Sequence, residues 1–177
     1  LYLYIMNFFY ILILILFFTN LQATVIVNSV IKLKDNVPEE CGLAFIDKDG
    51  KFNGELVIKK HDSQNTLTVF SVIHKDSQVK SANVKTFSKD ILKILKKENL
   101  EKDLFKIENV TQNNDMTKFF QEILINGGRF FINNDTYEII GPIDSKVRLE
   151  YLFCTGEMFL PNYEKKWTKL HSKKLKK

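Results

Sequence analysis

The chain has 177 residues, enough for one ordinary domain or two small ones and too few for a large multidomain enzyme. With 45% hydrophobic and 27% charged residues, it is neither collagen-like nor disordered in composition. The formal charge of +5 is unevenly placed: residues 165–177 hold seven lysines and no acid, leaving 19 basic against 21 acidic residues elsewhere, and a mildly acidic body of −2 with a basic tail excludes a nucleic-acid-binding domain.

Residues 1–23 contain no Lys, Arg, Asp or Glu, and residues 8–18 are an unbroken apolar run. Eleven apolar residues suit a signal-peptide core better than a membrane span of about 20. The segment is therefore read as a signal peptide over 1–23, with Met6 as its start and cleavage after Ala23. No basic residue precedes the apolar core, so an uncleaved signal anchor is the alternative. Cleavage makes the protein secreted and extracellular, without a stable membrane span.

Residues 24–33 (TVIVNSVIKL) are β-branched and partly alternating, the pattern of a strand. Asp35, Asn36 and Pro38 place a turn over 34–41, and GLAFID at 42–47 is a second strand, ended by Asp49-Gly50. Residues 55–60 and 66–74 read as two more strands, so the spacing is that of a sandwich or barrel. Residues 88–105 place Ile91, Leu92, Ile94, Leu95 and Leu104 among charges, which predicts an amphipathic helix capped by Ser88. Residues 107–114 are polar and read as a loop. Met116, Phe119, Phe120 and Ile123 then fall at i, i+3, i+4 and i+7, the apolar face of a second helix. Strands resume at 129–132, 137–140 and 147–153, with Asn133-Asn134-Asp135 and Gly141-Pro142 between them.

Candidate chemistry is sparse. Counted as a calcium loop from Asp47, positions 5, 6 and 12 hold Lys51, Phe52 and Ile58, so a β-turn is the better reading. His61, His74 and His171 form no zinc spacing, and there is no Gly-x-Ser-x-Gly elbow. Gly127-Gly128 reads as a turn before Arg129 rather than a phosphate loop. These patterns point to no enzyme, no metal and no cofactor. Cys41 and Cys154 are the only cysteines; they pair in an oxidising compartment or stay as free thiols, and the sequence leaves both open. Asn109-Val110-Thr111 and Asn134-Asp135-Thr136 match the N-glycosylation acceptor. In the tail, Lys165, Lys166, Lys169, Lys173, Lys174, Lys176 and Lys177 either contact an anionic surface or form a solvated end.

Gly128-Arg129-Phe130, Tyr137 through Pro142 and Val147 through Cys154 resemble the nematode transthyretin-like family, which runs G-x-F, a strand closing on Gly, then L-x-I-x-H-x-C. The opening strand, the Pro38 turn, Leu43 through Asp49, and Phe159-Leu160-Pro161-Asn162-Tyr163 are similar to further family segments. Leu152 stands where the family has His. A second register is also open, in which Asp49-Gly50-Lys51-Phe52 precedes a strand ending at His74 and Asp76 takes the place of Cys. The resemblance implies a mainly β fold: a transthyretin-like β-sandwich with one or two helices in the central region. It spans 24–164 with a helical insertion at about 88–124, or is a degenerate duplication. It further implies a secreted, non-enzymatic carrier for a small apolar ligand or a cell-surface protein or lipid. The alternative is a membrane-tethered interaction protein whose basic tail meets anionic surfaces.

Overall fold

The computed structural model describes residues 24–95 and 104–159. The fold is mainly β, two antiparallel sheets with three helices. Strands β1 (Val25–Lys34), β2 (Val37–Asp47), β3 (Phe52–Lys60) and β4 (Asn65–His74) form successive hairpins, and β6 (Phe105–Gln112) adds beside β4 to complete a five-stranded sheet. Strands β5 (Ala82–Lys85), β7 (Gly127–Ile132) and β8 (Asp135–Ile140) form the second sheet in that order. Helix α1 (Ile91–Leu95) lies between β5 and β6, α2 (Asn113–Asn126) between β6 and β7, and α3 (Ser145–Phe159) follows β8.

Local chemistry sets the hairpins. The β1–β2 turn is only Asp35 and Asn36, both at positive φ (52° and 61°), a two-residue link whose twist matches its strands. The strand therefore begins at Val37 and runs through Pro38, so the turn expected over 34–41 is shorter than the sequence implies. Between β3 and β4, the Asp62 carboxylate accepts the amides of Gln64 and Asn65, each at 2.7 Å. Those bonds, after the Asn65 side chain's own, hold Asp62 below the ordinary carboxylate range.

The two sheets share one core. Cross-strand rows put Leu43, Leu56, Phe70 and Ile107 on the same side of the large sheet, and Phe45, Gly54, Val72 and Phe105 in the next row. Phe130 of β7 packs against Phe45, Phe52 and Phe70, with ring centroids 5.2, 5.2 and 6.0 Å away. Such fully buried rings each stabilise the fold by roughly 1.5–3 kcal/mol. Strands from both halves of the chain thus line the same apolar interior.

Helix α2 carries its expected face inward, with Met116, Phe119, Phe120, Ile123 and Leu124 all buried. Three other expectations are corrected. Residues 147–153, read as a strand, belong to α3, where Val147, Tyr151, Cys154 and Met158 are buried at helical spacing. Leu149, Leu152 and Phe153 on the opposite side are apolar too, which gave the segment its strand-like look. Asp144 signals the true start by accepting the Lys146 amide at 2.8 Å. Residues 107–112, read as loop, lie in β6: its inward set ends in Thr111, which is polar but satisfied by the Thr68 hydroxyl at 2.6 Å. Finally, Phe105 opens β6 instead of ending a helix, and the helix that is described there is Ile91–Leu95, with 96–103 outside the described residues. Strand β5 had no sequence signal, being four residues long.

Candidate functional site

Cys41 and Cys154 are joined in a disulfide that fastens α3 onto β2. Neither side chain is exposed, so the bond is structural in its placement. Next to it, Tyr151 stacks on Phe120 at 4.6 Å, and burial pushes its phenol far up from the ordinary value.

The surface most suited to holding a ligand lies on the side of the small sheet that faces away from the core. Lys85, Arg129 and Glu138 form one cross-strand row there, and Asn83, Phe131 and Thr136 the next. Gly128 and Gly141 keep the floor near the helix end of the sheet low: a Cβ on Gly128 would sit 2.3 Å from the Lys85 carbonyl oxygen. Beyond β5 the chain turns at Thr86, whose hydroxyl accepts the Lys89 amide at 3.0 Å. That turn raises Phe87, which is 86% exposed. Together these residues enclose a cleft of about 470 Å³ between Phe87, Phe131 and Ile140.

The cleft combines Lys85 and Arg129 with an apolar wall, and the Glu138 carboxylate also lines it. The Lys85 ammonium sits 5.4 Å above the Phe131 ring and 3.3 Å from Asp90. Arg129 has no ion pair among the described residues, although Glu138 is its cross-strand neighbour. An unpaired guanidinium beside exposed aromatic carbon supplies a planar fork for a carboxylate, sulfonate or phosphate and a surface for an apolar body.

A second groove of about 480 Å³ runs along Lys34, Val37, Lys59, Lys60, His61 and Met158. Two of its cations are already engaged, Lys34 by Glu39 at 3.7 Å and Lys59 by Glu40 at 2.5 Å. Lys60 has no ion pair among the described residues, but Asp35, Glu39 and Glu157 also line the groove, a mixed-charge surface less suited to an anion. A polar hollow between α1 and β6, lined by Lys93, Asn109 and Asp115 among others, has no apolar wall comparable to Phe87 and Phe131.

The sequence-derived candidates fall in separate places. Asn134 is exposed at the β7–β8 turn, whereas Asn109 is half-buried on β6 and donates its side-chain amide to the Leu95 carbonyl at 2.5 Å. The signal segment, His171 and the seven tail lysines (Lys165, Lys166, Lys169, Lys173, Lys174, Lys176 and Lys177) lie outside the described residues. Among the described residues, no group of three or more His, Cys, Asp or Glu side chains converges for a metal, and no helix is long and apolar enough to cross a membrane. His74 accepts the Ser77 hydroxyl at 3.0 Å and the Asp76 amide at 3.2 Å, both on Nδ1, which closes an exposed turn. Lys85, Phe87, Arg129 and Phe131 carried no sequence signal as a group. The nearest hint was an isolated Phe87 in an otherwise polar KTFSK stretch, an aromatic with no periodic partner. No family model, curated protein or solved structure matches this chain.

Proposed function

We propose that the protein is a secreted, non-enzymatic binding protein that holds a small apolar ligand with an anionic group in the cleft of the β5–β7–β8 sheet. The observation that carries the reading is the placement of an unpaired Arg129 beside the exposed Phe87 ring in one concave surface. Phe131 and Ile140 supply apolar wall, Arg129 supplies positive charge not held in an ion pair, Lys85 is shared with Asp90, and the strands beneath hold them at fixed spacing. Secretion is supported by the uncharged leader-like segment and by a buried disulfide, which persists in oxidising compartments. Of the transthyretin-like motifs, Val147 through Cys154 lies in α3 and not in a strand, so the resemblance adds little to the carrier reading and names no ligand.

The test uses anilinonaphthalene sulfonate, a fluorescent probe with an aromatic body and one anionic group. It binds the folded protein with enhanced emission, and Phe87→Ala or Arg129→Glu weakens binding about tenfold, equivalent to roughly 1.4 kcal/mol. Lys60→Glu, in the other groove, leaves binding unchanged. If Lys60→Glu abolishes binding while the Phe87 and Arg129 variants retain it, the cleft is the wrong site. No emission change with folded protein overturns the binding reading for this ligand class.

A further inference from the structure

The two N-glycosylation triplets are equivalent in sequence and opposite in structure. Asn134 stands at the tip of the β7–β8 hairpin, and Asp135 and Thr136 open β8. There, Asn133 takes the strained part of the turn at φ 50°. Its carboxamide accepts the Lys80 and Ser81 amides at 2.8 and 3.3 Å and donates to the Gln78 carbonyl at 3.2 Å. Asn133 is thus committed to holding the turn. Asn134 is exposed and makes no side-chain hydrogen bond among the described residues, and Thr136 two positions on is exposed as well. The Asn109 triplet lies within β6. Its Asn donates to the Leu95 carbonyl, and the Thr111 hydroxyl is buried against Thr66 and Thr68.

We infer that Asn134 is the N-glycan attachment site of this protein and that folded, exported molecules carry no glycan on Asn109. The inference rests on the secreted reading above. In the transfer, the Asn134 side-chain nitrogen bonds to the anomeric carbon of a lipid-linked oligosaccharide pyrophosphate. The anomeric carbon–oxygen bond breaks, the lipid pyrophosphate leaves with that electron pair, and the amide nitrogen gives up one proton. No electrons are exchanged with an oxidant. The product at Asn134 projects from a pinned turn into solvent. A sugar on Asn109 would instead cost the bond from its amide to the Leu95 carbonyl, and the Thr111 hydroxyl of that triplet is buried and engaged by Thr66 and Thr68. Along β7, Arg129 lies three residues from Ile132, a run of roughly 10 Å at strand spacing, so the glycan is anchored just beyond the Phe131 wall of the cleft.

The full chain is expressed in animal cells twice, with its own N-terminal segment and with a heterologous cleavable leader. Secreted protein is digested with a peptide N-glycosidase and its peptides are read by mass spectrometry. One glycan is expected, on Asn134. Asn134→Gln and Thr136→Ala each remove it, and Asn109→Gln leaves the glycosylated mass unchanged apart from the substitution. A glycan on Asn109 in secreted, disulfide-bonded protein overturns the inference, as does an unmodified Asn134 in protein exported by the heterologous leader. If the native segment fails to export while the heterologous leader yields protein glycosylated at Asn134, the site stands and the secreted reading falls.

Discussion

Phe130 occupies the space that a side chain at Gly54 would need: a Cβ built on Gly54 would lie 2.5 Å from the Phe130 Cζ. The two residues belong to opposite sheets, so this close approach sets how tightly the sheets meet. Phe130 cannot swing aside, because Phe45, Phe52 and Phe70 surround it. Gly54→Ala is expected to destabilise the protein by about 1–3 kcal/mol through overpacking, measured as a lower denaturant midpoint with an unchanged slope. A variant as stable as the parent would mean that the sheets separate more easily than their packing implies.

The disulfide between Cys41 and Cys154 closes a loop across a sequence separation of 113 residues. In the chain-entropy model such a cross-link stabilises by about 4–5 kcal/mol, chiefly by restricting the unfolded chain. Replacing both cysteines by Ser, or reducing the bond under mild conditions, should lower the unfolding free energy read from urea titration by that order. The double variant is the informative one, because it leaves no lone thiol to form mixed disulfides. A drop below about 1 kcal/mol would place the stabilisation of α3 in its packing rather than in the cross-link.

Much of the fold was legible from the pattern of side chains alone, and the failures have physical causes. The β1–β4 hairpins announce themselves by alternation and by Asp and Gly at their turns, and α2 by its i, i+3, i+4, i+7 face. Helix α3 hid because Leu149, Leu152 and Phe153 are apolar and exposed, so its periodicity is blurred. Strand β6 hid because its inward positions include Thr111, whose partners Thr66 and Thr68 are more than forty residues away. The cleft was invisible for a related reason. Phe87 meets Arg129 and Phe131 only when β5 pairs with β7, a contact no local window contains. The cysteine pair was visible as a possibility, and only the packing of α3 on β2 decides it.

On the far side of the large sheet, Glu40 lies between Lys32 at 2.8 Å and Lys59 at 2.5 Å in one cross-strand row. Burial raises the Glu40 pKa, but the two ammonium groups outweigh it, so the carboxyl ends below its ordinary value of 4.5. A depressed carboxylate adds stability above its unfolded pKa and loses it as pH falls through the folded one. Glu40→Gln should therefore cost about 1 kcal/mol at neutral pH, leaving two facing lysines without their shared anion. The gap between parent and variant should close as pH is lowered from about 5 toward 2. Thermal midpoints recorded across that range check it; a gap that widens in acid would have the wrong sign.

Gly127 joins α2 to β7 in a backbone conformation of φ 75°, ψ −153°, a region open to glycine and almost nothing else. A Cβ there would also meet the Ile139 carbonyl oxygen at 2.0 Å, so relaxing the dihedral does not relieve the clash. The amide of Gly127 is also fixed, donating to the Ile123 carbonyl as the helix ends. Gly127→Ala should thus cost about 2–4 kcal/mol, combining backbone strain with a steric collision in the small sheet. The damage should reach the cleft between Phe87 and Phe131, because Arg129 is two residues further along the same strand and in register with Glu138. Hydrogen exchange should show faster exchange in β7 and β8 of the variant while β2 and β3 keep their protection. Uniform loss across both sheets would instead mean that the two unfold as one unit, and that the small sheet has no separate stability to lose.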